Sequence, residues 1–327
     1  MTKPTLSLSL ATVGARPLAA LRHWPATQHV FNEDSLWALN AALQTGRPLL
    51  LRGEPGVGKS QLARAAADAL GWPFLSRVIN GRFEPEDLLY RFDAVARLAQ
   101  AQILSRGAAT AQLDAVNFLL PEVLWWALAP KAAAEQFRKA AGHCGLSADT
   151  YDAAACGHEF VPDKGVVVLL DEIDKADTEV PNGLLEILSL GGFQLPYGGA
   201  YVKAEGVAPL IVITTNEDRE LPPAFLRRCL VHQMDLPKDS AKFETQLLAR
   251  VRAHFTEDQV SDELTREAIR QLVEDREKLR RLDLPPPGQA ELLDLLHAVV
   301  GLTPAGTDPA ATFGRLKNFA FAKHRPA

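Results

Sequence analysis

The feature that most constrains this chain is a glycine-rich turn between a short apolar run and a helix-forming stretch. Residues 49–60 read Leu-Leu-Leu-Arg-Gly-Glu-Pro-Gly-Val-Gly-Lys-Ser, which fits the phosphate-loop pattern G-x-x-x-x-G-K-[ST]. The apolar start predicts a buried strand, and the Ala-rich stretch 62–70 contains good helix formers without Gly or Pro. A strand, a glycine loop and a helix in this order are the context in which the motif binds phosphate.

The residue types of this loop suit an anion. Glycine adopts backbone angles closed to other residues, so consecutive N–H groups can point inward, and the positive end of the following helix faces the same place. Lys59 would reach the β- and γ-phosphates, and the Ser60 hydroxyl would complete a Mg²⁺ shell. We therefore predict ATP and Mg²⁺ as the bound groups, although no readable code separates ATP from GTP. The residues predicted to hold the nucleotide are Gly53, Glu54, Pro55, Gly56, Val57, Gly58, Lys59, Ser60 and Gln61.

A second apolar run ends in two acids. Residues 166–170 read Val-Val-Val-Leu-Leu, which predicts a strand buried on both faces, and Asp171-Glu172 follow. A parallel sheet binds its ligands at the carboxyl edge. Asp171 would hold Mg²⁺ directly or through water, so Ser60 and Asp171 are the predicted metal ligands. Glu172 would accept a proton from the attacking water. The alternative is a pair of solvated acids at a strand end.

The chain divides into three predicted parts. Residues 1–30 carry three prolines with weak periodicity and predict an extended arm, either free or packed on the core. Residues 31–237 alternate strand and helix patterns and predict the nucleotide-binding domain, with residues 92–160 as an insertion. Beyond Pro237 the strand signals vanish and charge rises, so residues 238–327 predict a separate helical domain.

Several local patterns give specific expectations. Residues 80–91 predict a helix, because Pro85 suits a first turn. Helical patterns also cover residues 94–104 and 123–137. Gly198-Gly199 predicts the turn of a hairpin, in which Tyr197 and Tyr201 could contact a substrate or pack internally. The amphipathic patterns of the C-terminal part predict helices over 242–255, 262–282 and 289–300.

Composition limits the function classes. The formal charge of −5 provides no basic excess for nucleic acid, so composition speaks against a nucleic-acid partner. No run reaches the length needed to span a bilayer, and the N-terminal residues make a poor signal peptide. Three cysteines argue against a disulfide framework. We expect a cytoplasmic protein.

Four features in order resemble the AAA+ ATPases, and within them the MoxR-type family. They are the phosphate loop, the strand ending at Asp171-Glu172, the strand ending at Asn216 and the segment Leu226-Arg227-Arg228. The stretches Leu-Leu-Asp-Glu-Ile-Asp-Lys-Ala at 169–176 and Glu-Leu-Pro-Pro-Ala-Phe-Leu-Arg-Arg at 220–228 are similar to that family's. The resemblance covers roughly residues 31–300. It implies an α/β P-loop domain, with a parallel sheet flanked by helices, and a C-terminal helical lid.

The resemblance also implies roles that the residues alone do not give. Asn216 would be the sensor 1 amide that orients the attacking water. Arg228 would be the arginine finger that a neighbouring subunit points at the γ-phosphate, with Arg227 as its helper. The predicted catalytic residues are therefore Glu172, Asn216, Arg228 and Arg227.

One position departs from the family's pattern. An arginine, sensor 2, usually starts a lid helix after a short proline-containing loop, and Gln289 stands there in this chain. Glutamine cannot supply charge to the phosphates. Either Arg280 or Arg281 substitutes for it, or nucleotide-dependent lid movement is weaker here.

The resemblance implies a homo-oligomeric ring, typically hexameric, that hydrolyses ATP to remodel, activate or metal-load a client protein. The partner would usually be a von Willebrand A-type protein. Two alternatives stay open. One is a nucleotide-switched assembly or signalling module with little turnover. The other is a DNA-associated AAA+ NTPase, which the net acidity disfavours.

Overall fold

The computed structural model describes residues 7–104, 113–146, 157–161, 164–237, 239–282, 284–304 and 307–321. In chain order its strands are β1 (Gly14–Leu18), β2 (Thr27–Phe31), β3 (Leu49–Arg52), β4 (Phe74–Val78), β5 (Tyr90–Phe92), β6 (Leu119–Pro121), β7 (Val167–Asp171), β8 (Gly192–Gln194), β9 (Tyr201–Lys203), β10 (Leu210–Thr214) and β11 (Leu230–Gln233). Its α-helices are α1 (Glu33–Thr45), α2 (Lys59–Leu70), α3 (Ala94–Leu104), α4 (Val123–Leu128), α5 (Pro130–Cys144), α6 (Glu179–Leu190), α7 (Pro223–Arg228), α8 (Ser240–His254), α9 (Asp262–Arg281), α10 (Gln289–Leu302) and α11 (Pro309–Ala320).

Five parallel strands form the central sheet, in the order β11–β3–β10–β7–β4. Alternate residues of each strand enter different cores, as the two-residue period of a strand requires. Leu49 and Leu51 pack in a core with α1 and α2, whereas Leu50 packs in the opposite core with α4, α6 and α7. The predicted α/β class, a parallel sheet flanked by helices with further helices after it, is confirmed.

The N-terminal segment packs on the core, where Leu18 and Phe31 are buried, and it contains a hairpin that was not predicted. Strands β1 and β2 pair in antiparallel fashion as a hairpin. The buried Arg64 of α2 fixes the connection between them, because its guanidinium donates to the carbonyl oxygens of Ala19 and of Pro25, the latter at 2.9 Å. This contact places residues 24–30 beside the phosphate loop.

The segment from residue 80 to residue 144 also departs from expectation. The helix predicted over 80–91 is wrong: Pro85–Leu88 forms one 3-10 turn, and the chain then extends into β5, which pairs with β6. The helix predicted over 123–137 is broken at Ala129, whose backbone is non-helical before Pro130 (φ −144°, ψ 70°). The predicted helix over 94–104 is confirmed.

The C-terminal part consists of α8 to α11 around its own apolar core, in which Leu247, Val251, Leu272 and Leu296 are buried. Each of the three predicted helices is present within a few residues of its predicted ends. Helix α11 was not predicted. The division of the chain into residues 1–30, 31–237 and 238–327 stays a prediction. None of the described helices is long and apolar enough to cross a membrane.

Candidate nucleotide-binding site

A cavity of about 620 Å³ lies where the phosphate loop meets the carboxyl ends of β7 and β10. Residues 24–30 and helices α8 and α10 complete its wall. The predicted site residues that line it are Pro55, Gly56, Gly58, Lys59, Ser60, Gln61, Asp171, Glu172 and Asn216. The predicted residues that do not line it are Gly53, Glu54, Val57, Arg227 and Arg228.

The phosphate loop is shaped by glycines that other residues could not replace. Gly53, Gly56 and Gly58 all have positive φ angles, of 141°, 76° and 99°. A Cβ atom on Gly53 would lie 2.5 Å from the carbonyl oxygen of Met234, so this position also needs a residue without a side chain. Helix α2 begins at Lys59, which directs its N-terminal N–H groups at the cavity.

Lys59 is the buried cation of the loop, with 6% of the residue exposed. Its ammonium donates to Gly53 O at 2.6 Å, Glu54 O at 3.1 Å and Asn216 Oδ1 at 2.8 Å. Burial lowers its pKa, and nearby carboxylates, above all Asp171, only partly offset this effect. Since an ammonium has three donors, binding a phosphate requires Lys59 to exchange one of these acceptors for a phosphate oxygen.

Two hydroxyls converge on the Asp171 carboxylate. Ser60 Oγ donates to its two oxygens at 2.9 and 3.0 Å, and Thr214 Oγ1 donates to Oδ1 at 2.5 Å. No site role is predicted for Thr214 from the sequence. The register between β10 and β7 pairs Ile213 with Leu170, so the next residues along the two strands, Thr214 and Asp171, meet at the sheet edge.

Glu172 holds an unusual backbone conformation at the end of β7. Its φ of 61° and ψ of 49° are left-handed, which costs a non-glycine residue about 1–2 kcal/mol. Its N–H donates to Thr214 Oγ1 at 3.0 Å, and its Oε1 accepts from the Asn216 amide at 3.4 Å. Backbone strain of this kind concentrates at functional sites. Here it turns the carboxylate into the cavity.

Glu54 points away from the cavity and connects the phosphate loop to α9. Its carboxylate pairs with Arg276 at 2.6 Å and with Arg280 at 3.1 Å. Burial alone would raise the pKa of the Glu54 carboxyl, but the hydrogen bonds and charge of the two arginines outweigh it, so the pKa is lowered. Only the Glu54 carbonyl oxygen faces Lys59.

The end of the cavity beyond the phosphate loop is formed by residues 24–30, which belong to the predicted arm. His29 is 5% exposed there, with its ring edge-on to Phe31 at 4.7 Å. Burial, followed by the charge of Arg250, lowers the pKa of His29 to about 3. The imidazole is therefore neutral at physiological pH.

The low pKa of His29 makes stability depend on pH. The unfolded chain takes up this proton near pH 6.5 and the folded chain only near pH 3, so stability is greatest above pH 6.5 and falls between these values. Between pH 7 and pH 5 we expect the wild type to lose about 2 kcal/mol more unfolding free energy than His29→Gln does. Urea titration at the two pH values measures this difference. The exposed His23, replaced by Gln, serves as the control. If His29→Gln loses as much unfolding free energy between pH 7 and pH 5 as the wild type does, His29 is not the group responsible.

Arg227 and Arg228 lie at the C-terminal end of α7 with exposed side chains. Within the described part of the chain, neither guanidinium forms an ion pair. Arg47 holds the backbone beneath them, donating to Arg228 O and Cys229 O at 3.1 Å each and to Arg227 O. Both arginines therefore point outward from a fixed turn, away from this chain's own cavity.

Gln289, the residue predicted to stand in place of a sensor 2 arginine, lines the cavity and is 5% exposed. Neither Arg280 nor Arg281, the two suggested substitutes, lines the cavity. Arg280 pairs with Glu54, and Arg281 pairs with Glu277 at 3.6 Å. A different cation, Arg250 of α8, lines the cavity instead. No sequence pattern marks Arg250, since only the folding of α8 against β2 brings it there.

Comparison with known proteins identifies one family for this chain. The family model for the AAA domain (dynein-related subfamily) matches residues 48–229, which is more than half of the chain. Among solved structures, the chain is similar to the crystal structure of a "putative ATPase" from Cytophaga hutchinsonii ATCC 33406. The alignment has 12% identity and a TM-score of 0.36, and it covers 87% of this chain and 78% of that one. The comparison with curated proteins gives no match.

Proposed function

This chain belongs to the AAA family, in its dynein-related subfamily, and from that premise we propose that it is a MoxR-type AAA+ ATPase. It hydrolyses ATP in a ring and uses the energy to remodel, activate or metal-load a client protein. One observation carries the hydrolytic part: Lys59, Asp171 and Glu172 face one cavity, where hydrogen bonds through Asn216 and Thr214 connect them.

The residues divide the work of phosphoryl transfer between them. The loop N–H groups cradle the α- and β-phosphates, and Lys59 reaches the β- and γ-phosphates. Glu172 accepts a proton from the attacking water. Asn216 touches both Lys59 and Glu172, so it fixes the general base relative to the cation that holds the γ-phosphate.

The oxygen atoms of Ser60 and Asp171 fit Mg²⁺. A hydroxyl and a carboxylate stand within 3.0 Å of each other at the cavity wall, and Mg²⁺ prefers such hard oxygen ligands together with several waters. When bound, Mg²⁺ neutralises charge on the phosphates. Thr214 orients the Asp171 carboxylate through its 2.5 Å hydrogen bond.

Support for the MoxR-type assignment comes from the order of motifs and from the hairpin of β8 and β9. The predicted hairpin is present. Tyr197 lies in its loop, with its ring 5.4 Å from that of Phe92, and Tyr201 lies at the start of β9; the two residues are 61% and 49% exposed. These side chains are available to a client or to a von Willebrand A-type partner. The outward-facing Arg228 supports a ring, because it can complete only a neighbour's site.

The test is to measure turnover and mass on the same preparation. We expect the chain to release phosphate from ATP in the presence of Mg²⁺, and its mass in solution to rise to that of several subunits when ATP is present. GTP in parallel tests the nucleotide preference. Lys59→Ala should lose both responses. A monomer under all conditions would contradict the ring, and an absence of nucleotide binding would contradict the site itself.

One observation favours the nucleotide-switched module as a second candidate. Gln289 carries no charge at a position where the family's lid couples to the phosphates. With weak coupling, bound ATP could set assembly without rapid turnover. Assembly on ATP with negligible phosphate release would support this second candidate.

A further inference from the structure

Arg250 carries a positive charge at the wall of the cavity, and no role has been assigned to it above. It projects from α8, is half-buried and lines the cavity together with the phosphate loop. A Cβ atom built on Gly58 would lie 3.7 Å from Arg250 Nη1 and 3.4 Å from Gln289 Nε2. The two side chains therefore flank the same point of the loop.

The protein does not neutralise this charge. Arg250 Nε is buried without a hydrogen-bond partner in the described structure. Asp171, Glu172 and Asp294 line the same cavity, yet no ion pair joins any of them to Arg250. Burial lowers the pKa of the guanidinium, which remains charged nonetheless. A partly desolvated cation without a counter-ion is unfavourable, so an anion at this point would be stabilised.

We propose that Arg250 binds the α- and β-phosphates of the nucleotide, so that α8 supplies the charge that Gln289 cannot. The loop backbone before the lysine cradles these two phosphates, and Gly58 is the residue before Lys59. A guanidinium makes short, charge-assisted hydrogen bonds to phosphate oxygens. Because ADP and ATP share both phosphates, Arg250 acts on either nucleotide. The proposal rests on the nucleotide site proposed above.

The experiment measures dissociation constants for Mg-ADP and for a non-hydrolysable ATP analogue by titration calorimetry. We expect Arg250→Gln to weaken both by roughly 10- to 100-fold. Arg281→Gln removes the same charge from an exposed position of α9 and should change binding by less than about twofold. Thermal unfolding of each variant shows whether the fold is intact.

A charge swap distinguishes phosphate binding from a structural role. The double variant Arg250→Gln, Gln289→Arg transfers the guanidinium from α8 to position 289, which also lies beside Gly58. It should recover at least about tenfold of the lost affinity. Unchanged affinity in Arg250→Gln would overturn the proposal, as would a loss that the swap does not recover or a loss confined to the ATP analogue. If the wild type binds neither nucleotide, the proposed nucleotide site fails rather than this assignment.

Discussion

Glu172→Gln is expected to lower the ATP turnover number by roughly 10²- to 10⁴-fold, the usual contribution of a general base. Glutamine keeps the shape of the side chain and can still contact Asn216, but it cannot take a proton from water. ATP should therefore remain bound, because Lys59 and the loop are untouched. The measurement is steady-state phosphate release together with the amount of ATP retained after rapid desalting.

Glu217→Gln is the matched control. Glu217 is also an acid with a left-handed backbone, at φ 64°, and it lies one residue beyond Asn216. Its side chain is exposed, pairs with Arg52 at 3.6 Å and does not line the cavity. Its loss should change turnover by less than about twofold. Equal turnover in Glu172→Gln and the wild type would remove Glu172 as the base. If wild-type turnover is itself negligible, the switched module becomes the better assignment.

The core of the candidate site is predictable from the sequence because each of its signals lies within one short stretch of residues. The loop at 53–60 lies between a strand and a helix, and Asp171-Glu172 directly follow a continuous apolar strand. Parallel strands place their carboxyl ends at one edge, so two separate stretches of sequence can be assigned to one site. The same argument applies to Thr214, since this residue ends β10, the strand beside β7.

The wrong or missing predictions concern residues whose conformation or position is decided by tertiary contacts. Pro85 and Asp87 form a helix-start pattern, and Asp87 does accept a hydrogen bond from Glu84 N at 2.9 Å. One turn later the chain pairs with β6 instead of continuing as a helix. Arg250 and Gly58 are separated by about 190 residues of sequence, and they lie near each other only because of how α8 packs. No periodicity encodes such a contact.

Arg228→Ala is expected to abolish turnover, with a loss of roughly 10³- to 10⁵-fold, if its guanidinium completes a neighbour's site. The side chain is exposed at the end of α7, and Arg47 fixes the backbone that carries it. Nucleotide binding by the variant should match the wild type, because no part of the chain's own cavity changes. Arg227→Ala is the adjacent control, with a smaller expected loss. Phosphate release and calorimetric binding measure the two effects separately.

Mixing two inactive variants tests whether the finger acts between subunits. In a ring of Arg228→Ala and Glu172→Gln subunits, a site with an intact Glu172 can lie beside a neighbour that carries an intact Arg228. Equal mixing makes roughly a quarter of the interfaces complete, whatever the ring size, because each interface is head-to-tail. Turnover should therefore return to about that fraction of the wild-type value. Mixed rings without recovered turnover would show that Arg228 does not serve a neighbouring site.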